Sequence, residues 1–157
     1  MNIRSLMVGN IVTVVWNDSE TKKVMVTEIY KDKVKVMDVD SKEKTEIVVE
    51  PNKIYEISIT SDLLENVLNF SHNEIKTTKN ALESNMTKEW LKVIENPDDP
   101  DNFYFLILPD DGNVTKSWGL WEFEIYSENR NLIARVSCRT LHDLQNQVMF
   151  NTGLVLC

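Results

Sequence analysis

The first sixty residues read as short runs of alternating apolar and polar side chains, the period of half-buried β-strands. Residues 11–16 form the first run, after a turn signal at Val8-Gly9-Asn10. In residues 23–30, Val24 and Val26 oppose Met25, Thr27 and Ile29. Residues 34–39 run back as a hairpin partner across Lys31-Asp32-Lys33. Residues 45–49 follow, and residues 54–59 resume beyond Pro51. Five short strands joined by tight turns predict a small barrel, because closure removes exposed sheet edges.

The pattern then changes period. Thr60 or Ser61 is placed to cap a helix reaching residue 69, with Leu63, Leu64, Val67 and Leu68 as its apolar stripe. Ile75, Leu82, Met86 and Trp90 recur at sevens and fours, which predicts helix within residues 72–95. Thr87 can start a separate helix carrying Trp90, Leu91 and Ile94, and a strand over 89–94 is the alternative. Two prolines and dense Asp make residues 96–102 a loop, and the place for a junction or insertion. Residues 103–108 are apolar on both faces, as in a central strand. Trp121, Phe123 and Ile125 alternate with Glu122 and Glu124, and residues 132–137 pair back across the turn 127–131. Thr140 and Asp143 make a capping-box-like start to a last helix. Leu141, Leu144, Val148 and Thr152 form its stripe, and Gly153 is placed to end it.

These elements predict an α+β protein. Residues 1–58 form a small N-terminal SH3-like β-barrel, named for its apolar–Gly–polar opening before β-branched residues. Residues 59–157 form helices and a short antiparallel sheet packed with a C-terminal helix, either separately or as one compact unit with the first. Such barrels host many unrelated functions.

Charge narrows the partners. The formal net charge is −8, and residues 61–157 carry 15 acidic against 8 basic side chains. Phosphate binding needs clustered Lys and Arg, so direct nucleic-acid binding is not expected. An anionic membrane surface is repelled, and no apolar run approaches a membrane span. Cys138 and Cys157 make no disulfide framework, and the N-terminus has no long apolar segment of the secretory kind. The expectation is a cytoplasmic protein.

Catalytic motifs are missing. Gly9, Gly112, Gly119 and Gly153 fall into neither common phosphate-cradling loop. There is no Gly-x-Ser-x-Gly, Cys-x-x-Cys or His-Glu-x-x-His, so no cofactor or metal is expected. The acids Glu95, Asp98, Asp99 and Asp101 lack the Gly and terminal Glu of a calcium loop and read as a solvated loop. Cys138 shares a strand face with Ala134 and Val136 and reads as an inert core thiol. His72 and His142 lie 70 residues apart and read as solvated or contact residues. Two features remain as a candidate interaction surface. Trp118, beside Gly119 and Trp121, can offer an aromatic anchor. His142, Gln145 and Asn146 form a polar patch beside the apolar stripe of the last helix.

Met1, Asn2, Ile3, Arg4, Leu6, Gly9, Asn10 and Val12 fit a Met-Asn-Ile-Arg-x-Leu-x-x-Gly-Asn-x-Val opening. His142, Leu144, Gln145 and Asn146 fit a His-x-Leu-Gln-Asn helix, followed by Thr152 and Gly153. In these two signatures the chain resembles a family of small uncharacterised proteins of gut anaerobic bacteria, their phages and mobile elements. The resemblance covers a third of the chain and implies a kind of gene, with no chemistry attached. The expected function is that of a non-enzymatic accessory protein working through a protein partner. An acidic nucleic-acid mimic that regulates a nucleic-acid enzyme is the second reading, and an enzyme with an unrecognised site is the third.

Overall fold

The computed structural model describes residues 3–17, 20–76, 86–108 and 119–156. The fold is mostly β, with two antiparallel sheets and one long helix. The chain divides into two compact units, Met1–Ser58 with Thr140–Asn146, and Ile59–Arg139 with Gln147–Cys157.

In the first unit, β1 (Ile11–Asn17), β2 (Glu20–Ile29), β3 (Val34–Asp38), β4 (Glu46–Val49) and β5 (Ile54–Tyr55) order as β4-β3-β2-β1-β5. Alternation turns Val12, Val14, Val24, Val26, Val34 and Val36 to one face, where they are fully buried with Leu6 and Ile54. Burying a side chain of this size contributes about 1.5–3 kcal/mol, and β-branched residues suit the pleat. Gly9 sits at φ +93° in the turn before β1, a conformation that favours glycine. The Gly9 N–H donates to the Val26 carbonyl at 2.8 Å.

The expected closed barrel is not formed. β5 has two residues and pairs only with β1, through Thr13–Tyr55 and Val14–Ile54. Among the described residues no ladder joins β4 to β5, which are separated by the 3-10 turn Pro51–Lys53. So short a strand cannot span a seam.

In the second unit, four long strands β7 (Met86–Asn96), β8 (Asp99–Leu108), β9 (Trp121–Ser127) and β10 (Leu132–Cys138) run in order, and β6 (Ser71–Lys76) joins β7 at the edge. β8 is central, as its two apolar faces predict. Ile94, Leu106, Leu108, Phe123, Ile125 and Val136 are buried on one face, and Phe70 packs on Phe123 with ring centroids 6.2 Å apart.

The helical expectation for residues 72–95 is overturned where residues are described. Residues 71–76 and 86–91 pair as an antiparallel ladder. Apolar side chains on both faces of β7 imitate a helical spacing, which hid the period of two. The helix expected over residues 60–69 forms as a short helical stretch over residues 61–67, with π geometry at Leu63–Val67. Thr60 Oγ1 accepts from the Leu63 N–H at 3.1 Å at its start. Asn69, at φ +54°, ends it, with the Phe70 N–H donating to the Leu64 carbonyl.

Residues 96–102, expected as a junction loop, form the tip of the β7–β8 hairpin. Asn96 pairs with Asp99 and Glu95 with Phe103, so Pro100, Asp101 and Asn102 form a bulge. A bulge is where proline fits, because no ladder N–H is needed there. The last helix, α1 (Leu141–Thr152), stands where expected; Leu141, Leu144 and Val148 are fully buried, and Gly153 follows at φ +74°.

Candidate functional site

Thr140, His142, Gln145 and Asn146 enter α1 through its first turns. The Leu141 N–H, a helix donor without an intrahelical acceptor, donates to the Ile57 carbonyl at 2.8 Å. The Thr140 hydroxyl donates to Asp143 Oδ2 at 2.8 Å and lies 2.9 Å from His142 Nδ1. His142 Nε2 lies 3.2 Å from Asp143 Oδ1. Both imidazole nitrogens therefore face oxygens, and the ring is only 2 % exposed.

Gln145 and Asn146 hold the start of the chain. Gln145 is 3 % exposed and its Oε1 accepts from the Ile11 N–H at 2.9 Å. The Met7 N–H donates to Asn10 Oδ1, Asn10 Nδ2 donates to Asn146 Oδ1, and Asn146 Nδ2 donates to the Ser5 carbonyl, each at 2.8 Å. This is a relay of amides with every step satisfied. The patch read from sequence as an interaction surface is thus, at His142 and Gln145, interior structure. Its helical spacing was right, but the partner of that face is the chain's own β1 and the turn before it. Trp118 lies outside the described residues, and Trp121 is buried on the inner face of β9. Cys138 is a buried thiol on the inner face of β10.

A surface missed in the sequence lies on the outer face of the second sheet. The register aligns Val93, Phe105 and Tyr126 in one row, and Leu91, Ile107, Glu124 and Arg135 in the next. Side chains directly opposed on neighbouring strands share a face. Val93 is 41 % exposed, and Leu91, Phe103, Phe105, Ile107 and Tyr126 are half-buried. Phe103 and Phe105 meet edge to face at 5.4 Å. Glu95 and Glu122 flank the strip, while Glu124 accepts from Arg135 Nε at 2.8 Å and from the Tyr126 hydroxyl at 2.6 Å. The apolar character of residues 103–108 on both faces was the available signal.

A groove of about 870 Å³ lies at the tip of the β7–β8 hairpin. Glu95, Asn96, Pro97, Asp98 and Pro100 line it with Gly153, Leu154 and Val155. Asn96 Oδ1 accepts from the Asp98 N–H at 3.0 Å and fixes the turn.

The titratable cluster on β2–β4 of the first unit is a surface network. Lys35 Nζ bridges Glu46 at 2.8 Å and Glu28 at 3.0 Å, and the Tyr30 hydroxyl donates to Glu28. The hydrogen bonds with Glu46 and Glu28 push the Lys35 ammonium up. Those from Tyr30 and Lys35 hold Glu28 down. Such exposed pairs are mutually neutralised and contribute little to stability. Among the described residues no group of three His, Cys, Asp or Glu is placed to hold a metal ion. No helix among them is long and apolar enough to cross a membrane. The chain matches no family model, no curated protein and no solved structure.

Proposed function

We propose that this chain is a non-enzymatic accessory protein that docks a protein partner on the outer face of its second sheet. The observation that carries the reading is the row Val93–Phe105–Tyr126, apolar and half-open on central strands whose other face already builds a core. The partner is a protein with an apolar centre and a basic rim. Glu95 and Glu122 border the strip and the chain carries a net −8, which disfavours a second copy of itself. The buried thiol of Cys138 is compatible with a reducing, cytoplasmic setting. The two terminal signatures support an origin in a phage or mobile element. The strand order β4-β3-β2-β1-β5, with a 3-10 turn before β5, supports an SH3-like reading of the first unit.

The mimic reading draws less support. Glu124, one of the acids it needs on an ordered face, is engaged by Arg135 and Tyr126. The test compares wild type, Phe105→Leu and Phe105→Asp in affinity capture from the native host, with thermal melts verifying the fold. Wild type and Phe105→Leu recover a common partner, and Phe105→Asp loses it. Equal recovery by Phe105→Asp would exclude this face.

A further inference from the structure

We infer that the groove at the hairpin tip binds an extended segment of a protein partner, centred on a Lys or Arg flanked by apolar residues. The inference stands on a different observation from the Phe105 face and does not depend on it.

Three sources of negative potential converge on the groove. Glu95 and Asp98 supply two exposed carboxylates, and among the described residues no Lys, Arg or His lines it. The third source is the end of α1. The last carbonyls of a helix lack intrahelical donors and carry the negative end of its dipole, where a basic side chain is the usual complement. The last turn of α1 holds no basic residue, and Gly153, directly after it, lines the groove. The Gly153 N–H caps the Met149 carbonyl at 2.8 Å, and a cation in the groove beside Gly153 would meet the negative end of the dipole.

The remaining walls select what carries the cation. Pro97, Pro100, Leu154 and Val155 are apolar, and Val155 is 47 % exposed while the next residue, Leu156, is fully buried. Anchoring Leu156 turns Val155 outward into the groove wall. The methylene stem of Lys or Arg lies along such surface while its head stays at the carboxylates. A bare metal ion would leave these walls unused. The groove is also larger than one side chain requires, which leaves room for flanking residues.

The test uses the full chain, immobilised, against a degenerate heptapeptide library with one fixed central residue. Pools centred on Lys or Arg are retained roughly tenfold over pools centred on Ser or Glu, equivalent to about 1.4 kcal/mol. Leu, Val or Pro is enriched beside the cation. Glu95→Gln with Asp98→Asn brings the pools to parity, and Val155→Ser removes the apolar preference alone. All three side chains are exposed, and unchanged melting temperatures verify the fold. A cation preference that survives in the double variant would assign the effect to overall acidity and overturn the site. Displacement of the peptides by calcium at constant ionic strength would overturn the peptide reading in favour of a metal. Glu95 borders both surfaces, so the arms that separate them are Phe105→Asp, which leaves the library result unchanged, and Val155→Ser, which leaves the Phe105 face intact.

Discussion

Asn10 and Asn146 are joined by a single hydrogen bond, Nδ2 to Oδ1 at 2.8 Å, across 136 positions of the chain. Asn10 is buried, so each amide atom needs its partner. Removing one side of a buried pair costs about 1–3 kcal/mol because the other side is left unsatisfied. Asn146→Ala and Asn10→Ala should each lose that much in urea unfolding. The double variant should lose less than the two losses combined, since the bond is shared. Asn146→Asp is the sharper probe: it keeps the acceptor for Asn10 and puts an oxygen against the Ser5 carbonyl.

The Thr140 hydroxyl has two partners within reach, Asp143 Oδ2 at 2.8 Å and His142 Nδ1 at 2.9 Å. Thr140→Val removes both contacts, so stability should fall by roughly 1 kcal/mol in urea unfolding. Nitrogen NMR should show the His142 Nδ1 signal moving in the same variant. An unchanged Nδ1 signal would contradict the arrangement.

Asp38 is buried at the end of β3. Burial pushes its carboxyl up, but the hydrogen bond from Lys22 at 3.2 Å and those from the Asp40 and Ser41 amides outweigh it. The carboxyl is held below its ordinary value. Its contribution to stability is present above the ordinary carboxyl range and is lost as pH falls through the lowered value. Lys22 also lies 4.7 Å from the centre of the Trp16 ring. In Lys22→Met the carboxyl is held down less, so the stability lost on acidification should be smaller, read as the urea midpoint followed from neutral pH downward. An unchanged acid limb would mean that the pair carries no linkage.

Gly153 sits at φ +74°, and a Cβ built there meets nothing within 4 Å. Gly153→Ala should therefore cost only the backbone term, about 1–2 kcal/mol, with no steric addition. Gly153→Asn should cost less, because Asn visits the left-handed region more readily. Thermal melts distinguish the three proteins.

The legible parts of the fold were those with one buried face. Val24 against Met25, and Trp121, Phe123 and Ile125 against Glu122 and Glu124, gave strands in the right places. The capped, glycine-ended helix α1 was read for the same reason, since its cap residues and stripe are local signals. The helical reading of residues 86–96 failed because Leu91 and Val93 are apolar on the face opposite Ile94, while the strand alternative over 89–94 falls within β7. Two apolar faces erase alternation. The barrel failed at β5, whose length depends on pairing and not on its own residues. In the polar patch, residue types and spacing were visible, but that the Ile11 N–H and Asn10 would claim Gln145 and Asn146 is tertiary information. The groove joins residues 95–100 to 153–155, which no local pattern connects.

The acceptor for the Ile11 N–H is Gln145, so the opening strand depends on residues made more than a hundred positions later. During synthesis on a ribosome, β1 emerges early, and its Ile11 N–H stays bonded to water until Gln145 has been made. The first unit is therefore completed only when α1 joins it. A fragment ending at Ser58 would lack its closing peptide, and adding residues 140–157 in trans should restore the missing contacts.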